Sequence, residues 1–202
     1  PSIPMFTYNP DGTVATANYS NFDALASPFI NGIGTPNGAK LTSIALPGTP
    51  FGAGTDPAKR LNGFKNIIQH IKEKGWFDRL FDYSWDEPTV AEYTKVKERT
   101  DLIKAADPAI PRQITLRFTP ELEGYVTRWT PQINDILAHT TQIARGVSYP
   151  DSAVYETRKM LGEQVWWYQA CPTIGCFIEG KEYTQGWPNF IVEYPAMANR
   201  IF

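Results

Sequence analysis

The 202-residue chain is 42% hydrophobic and 20% charged, with a net charge of −2. That balance suits one sizeable core and gives no electrostatic reason to bind nucleic acid or an anionic membrane. No apolar run reaches the roughly 18 residues of a membrane span, and no signal peptide is visible. The first residue is Pro1 and the last segment, "YPAMANRIF", reads as a helix start without a stop. The chain therefore reads as a processed or excised piece.

The predicted elements alternate. "SIPMFTY" (2–8) reads as a strand, followed by a turn at Asp11-Gly12. A helix starts at a Ser20 or Asn21 cap and stops near Gly32 or Gly34. "LTSIALPG" (41–48) is a second strand. The next helix is capped by Asp56 with Pro57 at its first position, and Leu61, Phe64, Ile67, Ile68 and Ile71 form one apolar stripe. Lys72 and Lys74 suit its negative end, and Gly75 stops it.

"WFDRLFDYSW" (76–85) is the third strand. Thr89 to Glu92 is a T-x-x-E capping box that opens a helix over 89–106. Val90, Tyr93, Val96 and Ile103 supply its inner face, and Asp107-Pro108 ends it. Strands follow at 112–119 and 125–133, helices at 134–146 (capped by Asn134) and 155–162 (closed by Gly162), and a sixth strand at 163–172. Separations this long exclude hairpins and imply parallel βαβ units. A (β/α)8 barrel and an open doubly wound sheet both fit. The absence of a Gly-rich phosphate loop favours the barrel. With about six βα units, one partial barrel domain over 1–202 is the expectation, incomplete in this chain.

Six Trp, ten Tyr and eleven Phe either pack a core or line a sugar-binding cleft. Cys171 and Cys176 are too few for a four-cysteine zinc site, and their spacing leaves thiols or a short disulfide open. No metal-ligand set and no cofactor motif is visible. His70 and His139 fall on helices without a Ser or Cys partner pattern and read as surface or packing residues.

The chemistry concentrates in "YSWDEPTV" (83–90). Asp86 and Glu87 stand side by side at a strand's C-terminal end, where barrel enzymes carry function. The helix cap falls at Thr89, so both acids are held by rigid elements and neither is needed as the cap. An ordinary acidic helix start would look similar. Burial beside Trp85 and a neighbouring like charge would each favour a protonated carboxyl, as a general acid requires. Successive strand residues point to opposite faces, so the two acids suit nucleophile-plus-acid work only if the strand bends before Pro88. A division of labour suits neighbours better: one carboxyl protonates the leaving oxygen while the other orients a nucleophile carried by the substrate. Trp129, Trp167 and Tyr168 lie near predicted strand ends and could stack on a sugar or pack a core.

"YSWDEP", "YTKVKERTDLIKAADPAIPRQIT", "VTRWTP" and "GEQVWWYQACP" resemble, in order, the catalytic domain of glycoside hydrolase family 123 and its DUF4091 relatives. "NYSNFDALASPFINGIG" and "IKEKGWFDRLFDYSWDEP" fit as well. The resemblance implies a (β/α)8 barrel, often following a β-sandwich, and β-N-acetylgalactosaminidase activity by substrate assistance without a cofactor. By that resemblance Glu87 is the general acid/base and Asp86 orients the acetamido group. Trp85, Trp129, Trp167 and Tyr168 are the candidate sugar-contacting residues. The resemblance also implies a carbohydrate partner, secretion or a periplasmic location, and further segments completing the barrel. The chain enters near the second barrel strand and leaves before the eighth.

Overall fold

The computed structural model describes residues 4–131, 152–168, 177–178 and 181–182. Its residues form two compact units. One is Pro1–Ile114 with Glu121–Arg128, and the other is Thr115–Pro120 with Trp129–Phe202.

The first predicted strand is found at β1 (Met5–Tyr8), but its partner is β2 (Val14–Asn18), antiparallel, with Phe6 opposite Ala17. β1 is thus half of a hairpin and not the first strand of a parallel sheet. The predicted Asp11-Gly12 turn makes the reversal: Gly12 has φ +82, and Asp11 Oδ1 accepts the Thr13 N–H at 3.0 Å. Every β2 residue after Val14 is exposed, so this strand has no apolar alternation to betray it.

The remaining strands form a five-stranded parallel sheet in the order β3 (Ile44–Ala45), β4 (Leu80–Trp85), β5 (Arg112–Ile114), β6 (Arg128–Trp129), β7 (Gln164–Val165). Each lies inside a predicted strand but is shorter. With helices α1 (Ser20–Asn31), α2 (Pro57–Glu73), α3 (Tyr93–Ala106) and α4 (Ser152–Met160), the chain is of the mixed α/β class. Among the described residues no strand pair closes the sheet into a barrel. A further hairpin, β8 (Phe177–Ile178) with β9 (Lys181–Glu182), was not predicted.

In the first unit, α2 follows its sequence signals closely. The Asp56 side chain accepts the N–H groups of Ala58 and Lys59 at 2.9 and 3.1 Å, which satisfies two donors with no intrahelical partner. Phe64, Ile67, Ile68 and Ile71 are buried against Leu46, Leu80, Trp76 and Ile103. Each such side chain contributes about 1.5–3 kcal/mol when fully removed from water. Gly63 serves close approach: a Cβ there would lie 2.5 Å from the Tyr8 hydroxyl and 2.6 Å from Pro50 Cβ, so the hairpin packs on α2 only because position 63 lacks one.

Three sequence readings change. α1 begins as predicted, but neither Ser20 nor Asn21 caps it. Tyr19 holds the cap position, and Asn18 Oδ1 accepts the Ser20 N–H at 2.9 Å. Residues 77–79, read as strand, form a 3-10 turn before β4. The capping box at Thr89 is present, but it opens a 3-10 turn over Val90–Glu92 before α3 starts. A 3-10 turn advances about 120° per residue instead of 100°, so Val90 turns outward and is 77% exposed while Val96 and Ile103 are buried.

In the second unit, Trp129 is fully buried. Its indole N–H donates to Glu163 Oε2 at 2.7 Å, its ring meets Phe118 edge-on at 5.1 Å, and Arg158 lies over Phe118. The predicted helix at 134–146, with Asn134 and His139, lies outside the described residues, as do Cys171 and Cys176. No helix among the described residues is long and apolar enough to cross a membrane.

Candidate active site

β4 alternates strictly. Leu80, Asp82 and Ser84 are buried, while Phe81 and Trp85 are half-buried and Tyr83 is exposed. Asp82 is therefore a carboxylate on the strand's core-facing side. Arg99, on the apolar face of α3 between Val96 and Ile103, meets it. The guanidinium donates to both Asp82 oxygens, with Nε to Oδ2 at 3.2 Å, and Ser84 Oγ donates to Asp82 at 2.6 Å. Arg99 also donates to the carbonyls of Gly48 at 2.6 Å and Pro47 at 3.1 Å, and its plane lies 4.4 Å from the Phe64 ring centre. One side chain thus ties the segment after β3 to β4. A buried ion pair holds only when its remaining hydrogen-bonding capacity is filled, as it is here.

The strand end then breaks regular geometry twice. The β4–β5 register slips between Tyr83 and Trp85, which is a bulge, and residues 86–87 bend. Glu87 sits at φ +44. This is the left-handed region, costly for a residue with a Cβ and disfavoured again before a proline. The bend supplies the condition on which two adjacent acids can act together. Asp86 is held by the Tyr83 hydroxyl, which donates to its Oδ1 at 2.6 Å. Both acids are exposed, so the apolar enclosure expected from Trp85 is not provided.

Glu92 organises the turn that follows. Its Oε2 accepts the Thr89 N–H and hydroxyl, each at 2.9 Å. The Thr89 backbone bond, then the Thr89 hydroxyl, hold its carboxyl below the ordinary range, and a hydrogen bond from the Trp85 side chain and the charge of Lys95 add to this. The Glu92 carboxylate thereby serves both the helix start and the Trp85 side chain. Trp85 faces a cleft of about 480 Å³ whose walls include Thr49, Arg60, Lys95, Glu98 and Arg99. Asp86 and Glu87 are not among the residues lining it.

Of the other predicted sugar contacts, Trp129 has no exposed ring face to offer. Trp167 and Tyr168 are half-buried beyond β7, where Tyr168 N–H donates to the Pro131 carbonyl at 3.1 Å. His70 is a packing residue as predicted: it stacks on Tyr19 at 3.7 Å and bonds Asp23 at 2.8 Å. Among the described residues, no group of three or more His, Cys, Asp and Glu is placed to hold a metal ion.

The sequence reading passed over Asp82, Arg99, Arg60 and Lys95. Two of them carried a signal: Asp82 has the strand parity of buried Leu80, and Arg99 the helical register of Val96 and Ile103. A carboxylate and a guanidinium each placed on a core-facing side predict one another. Arg60 and Lys95 stand at ordinary polar helix positions and carried none. In comparisons with known proteins, no family model matches the chain and no curated protein matches it.

Proposed function

We propose that the chain is the catalytic part of a glycoside hydrolase. It would cleave a terminal β-linked 2-acetamido sugar by substrate-assisted, retaining catalysis, on a sheet that closes into a (β/α)8 barrel. The observation that carries this reading is the backbone of Glu87. A strained, non-glycine residue at a parallel strand's C-terminal end, beside a second carboxylate, is where folds hold reactive groups in costly conformations. In this reading Glu87 protonates the leaving oxygen and then deprotonates water. Asp86, oriented by Tyr83, steers the acetamido nitrogen while its carbonyl oxygen attacks the anomeric carbon. The resemblance to family 123 supports the same roles, and with them a secreted or periplasmic setting.

One observation favours a second reading, a non-catalytic glycan-binding barrel: both acids are exposed, and the cleft beside Trp85 is lined without them. Hydrolysis of aryl β-N-acetylgalactosaminide and β-N-acetylglucosaminide separates the two. The enzyme reading expects turnover that falls about 10²–10⁴-fold in Glu87→Gln, and loss of rate when a 2-hydroxyl replaces the 2-acetamido group. Absent turnover leaves the binding reading, and an undiminished rate in Glu87→Gln removes Glu87 from the acid role. Equal cleavage of the 2-hydroxy analogue removes substrate assistance.

A further inference from the structure

The cleft at the ends of β3 and β4 has a charge pattern the proposed reaction does not use. Arg99 is committed to Asp82 and to the Pro47 and Gly48 carbonyls, so its charge is already answered. Arg60 is different. It lines the cleft from the first turn of α2, and among the described residues its Nε has no hydrogen-bond partner. A guanidinium on a cleft wall with no carboxylate of its own suits an oxyanion, because its planar fork can take two oxygens at once. Lys95 adds a second cation and Glu98 one anion, both on α3. Asp82 answers Arg99, and Lys95 has the Glu92 and Glu98 carboxylates near it, so Arg60 is the cation the cleft offers to a ligand. The cleft therefore suits a single anionic group. Trp85 offers its indole at the same place, and an indole face packs on the apolar face of a sugar ring.

We propose that this cleft is a subsite for an anionic sugar residue, with Arg60 receiving a carboxylate or sulfate and Trp85 carrying the ring. The sugar identity rests on the glycosidase reading; the anion site does not. The substrate class would then be a glycan in which an acidic sugar accompanies the 2-acetamido sugar.

The test is calorimetric titration of the full chain carrying Glu87→Gln, which suppresses turnover, with D-glucuronate, glucose 6-sulfate, glucose and acetate as probes. Saturable binding of glucuronate or the sulfate ester is expected, with glucose and acetate at least about 10-fold weaker. The tighter of the two anionic sugars identifies the group. Adding Arg60→Gln should weaken that ligand about 10-fold or more, and the surface change Lys95→Gln should weaken it by a smaller factor. A cooperative melt checks that Arg60→Gln still folds. If it does not, the Lys95→Gln loss and a fall in affinity with salt carry the test. No binding of either anionic sugar, or the same affinity with and without Arg60, overturns the site. Acetate binding as well as glucuronate overturns the sugar assignment. Arg60-dependent binding in a protein that hydrolyses no acetamido sugar leaves the site standing and removes the glycosidase reading.

Discussion

Glu87 combines a local cost with a position at a strand end. A Cβ in the left-handed region costs roughly 1–2 kcal/mol, which glycine does not bear. Glu87→Gly should therefore be more stable than Glu87→Ala by about 1 kcal/mol in urea unfolding, the reverse of the order at an ordinary extended position. The reversed order would show that position 87 is relaxed. The buried pair makes an opposite case. Removing Arg99 leaves the fully buried carboxylate of Asp82 without its cation and with only the Ser84 hydroxyl of the partners described above. Arg99→Met should cost about 3–5 kcal/mol, and the double change Asp82→Leu with Arg99→Met markedly less than the sum of the singles. Strictly additive losses would show that the two residues act separately.

At the level of elements, α2 was legible because its signals are local: cap, proline and stripe lie within one helix. The capping box was equally legible, yet the direction of Val90 was not, since the box specifies hydrogen bonds and leaves the pitch of the first turn open. The helix ends also carry the pH response. Asp107 follows α3. Partial burial pushes its carboxyl up, but the Lys72 hydrogen bond at 2.6 Å and the Ala109 N–H outweigh this and bring it below the ordinary range. Asp23 on α1 behaves alike, its desolvation overcome by Lys74 and His70. A lowered folded-state pKa means stability fully present above the unfolded value of about 4 and lost as pH falls through the lower folded one. Urea midpoints should thus be flat from pH 7 to about 5 and drop below about 4, with Asp107→Asn showing a shallower drop. An unchanged acid limb in that variant would exclude the Lys72 contact as a contributor.

For the whole molecule, the sequence alone determined the class and the order of its parts. Strand and helix periodicities, caps and turn residues depend on neighbours a few positions away, and they placed every strand of the parallel sheet in chain order. They also marked Asp86, Glu87 and Trp85 at a strand end before a helix. Tertiary structure decided the rest. It paired β1 with β2 instead of seating it in the sheet, because register is settled by partners that a largely exposed strand does not announce. It buried Trp129 and left Trp85 on a cleft, since identical ring chemistry serves either role and only packing chooses. Arg99 joined Asp82, 17 residues away, and the Gly48 carbonyl, 51 residues away. Arg60 of α2 and Lys95 of α3 came to one wall beside the indole. Contacts at such separations follow from how the elements pack, which no local spacing encodes. The strain at Glu87 belongs here too: a bulge, a bend and a following proline set its φ only once β5 holds β4 in register.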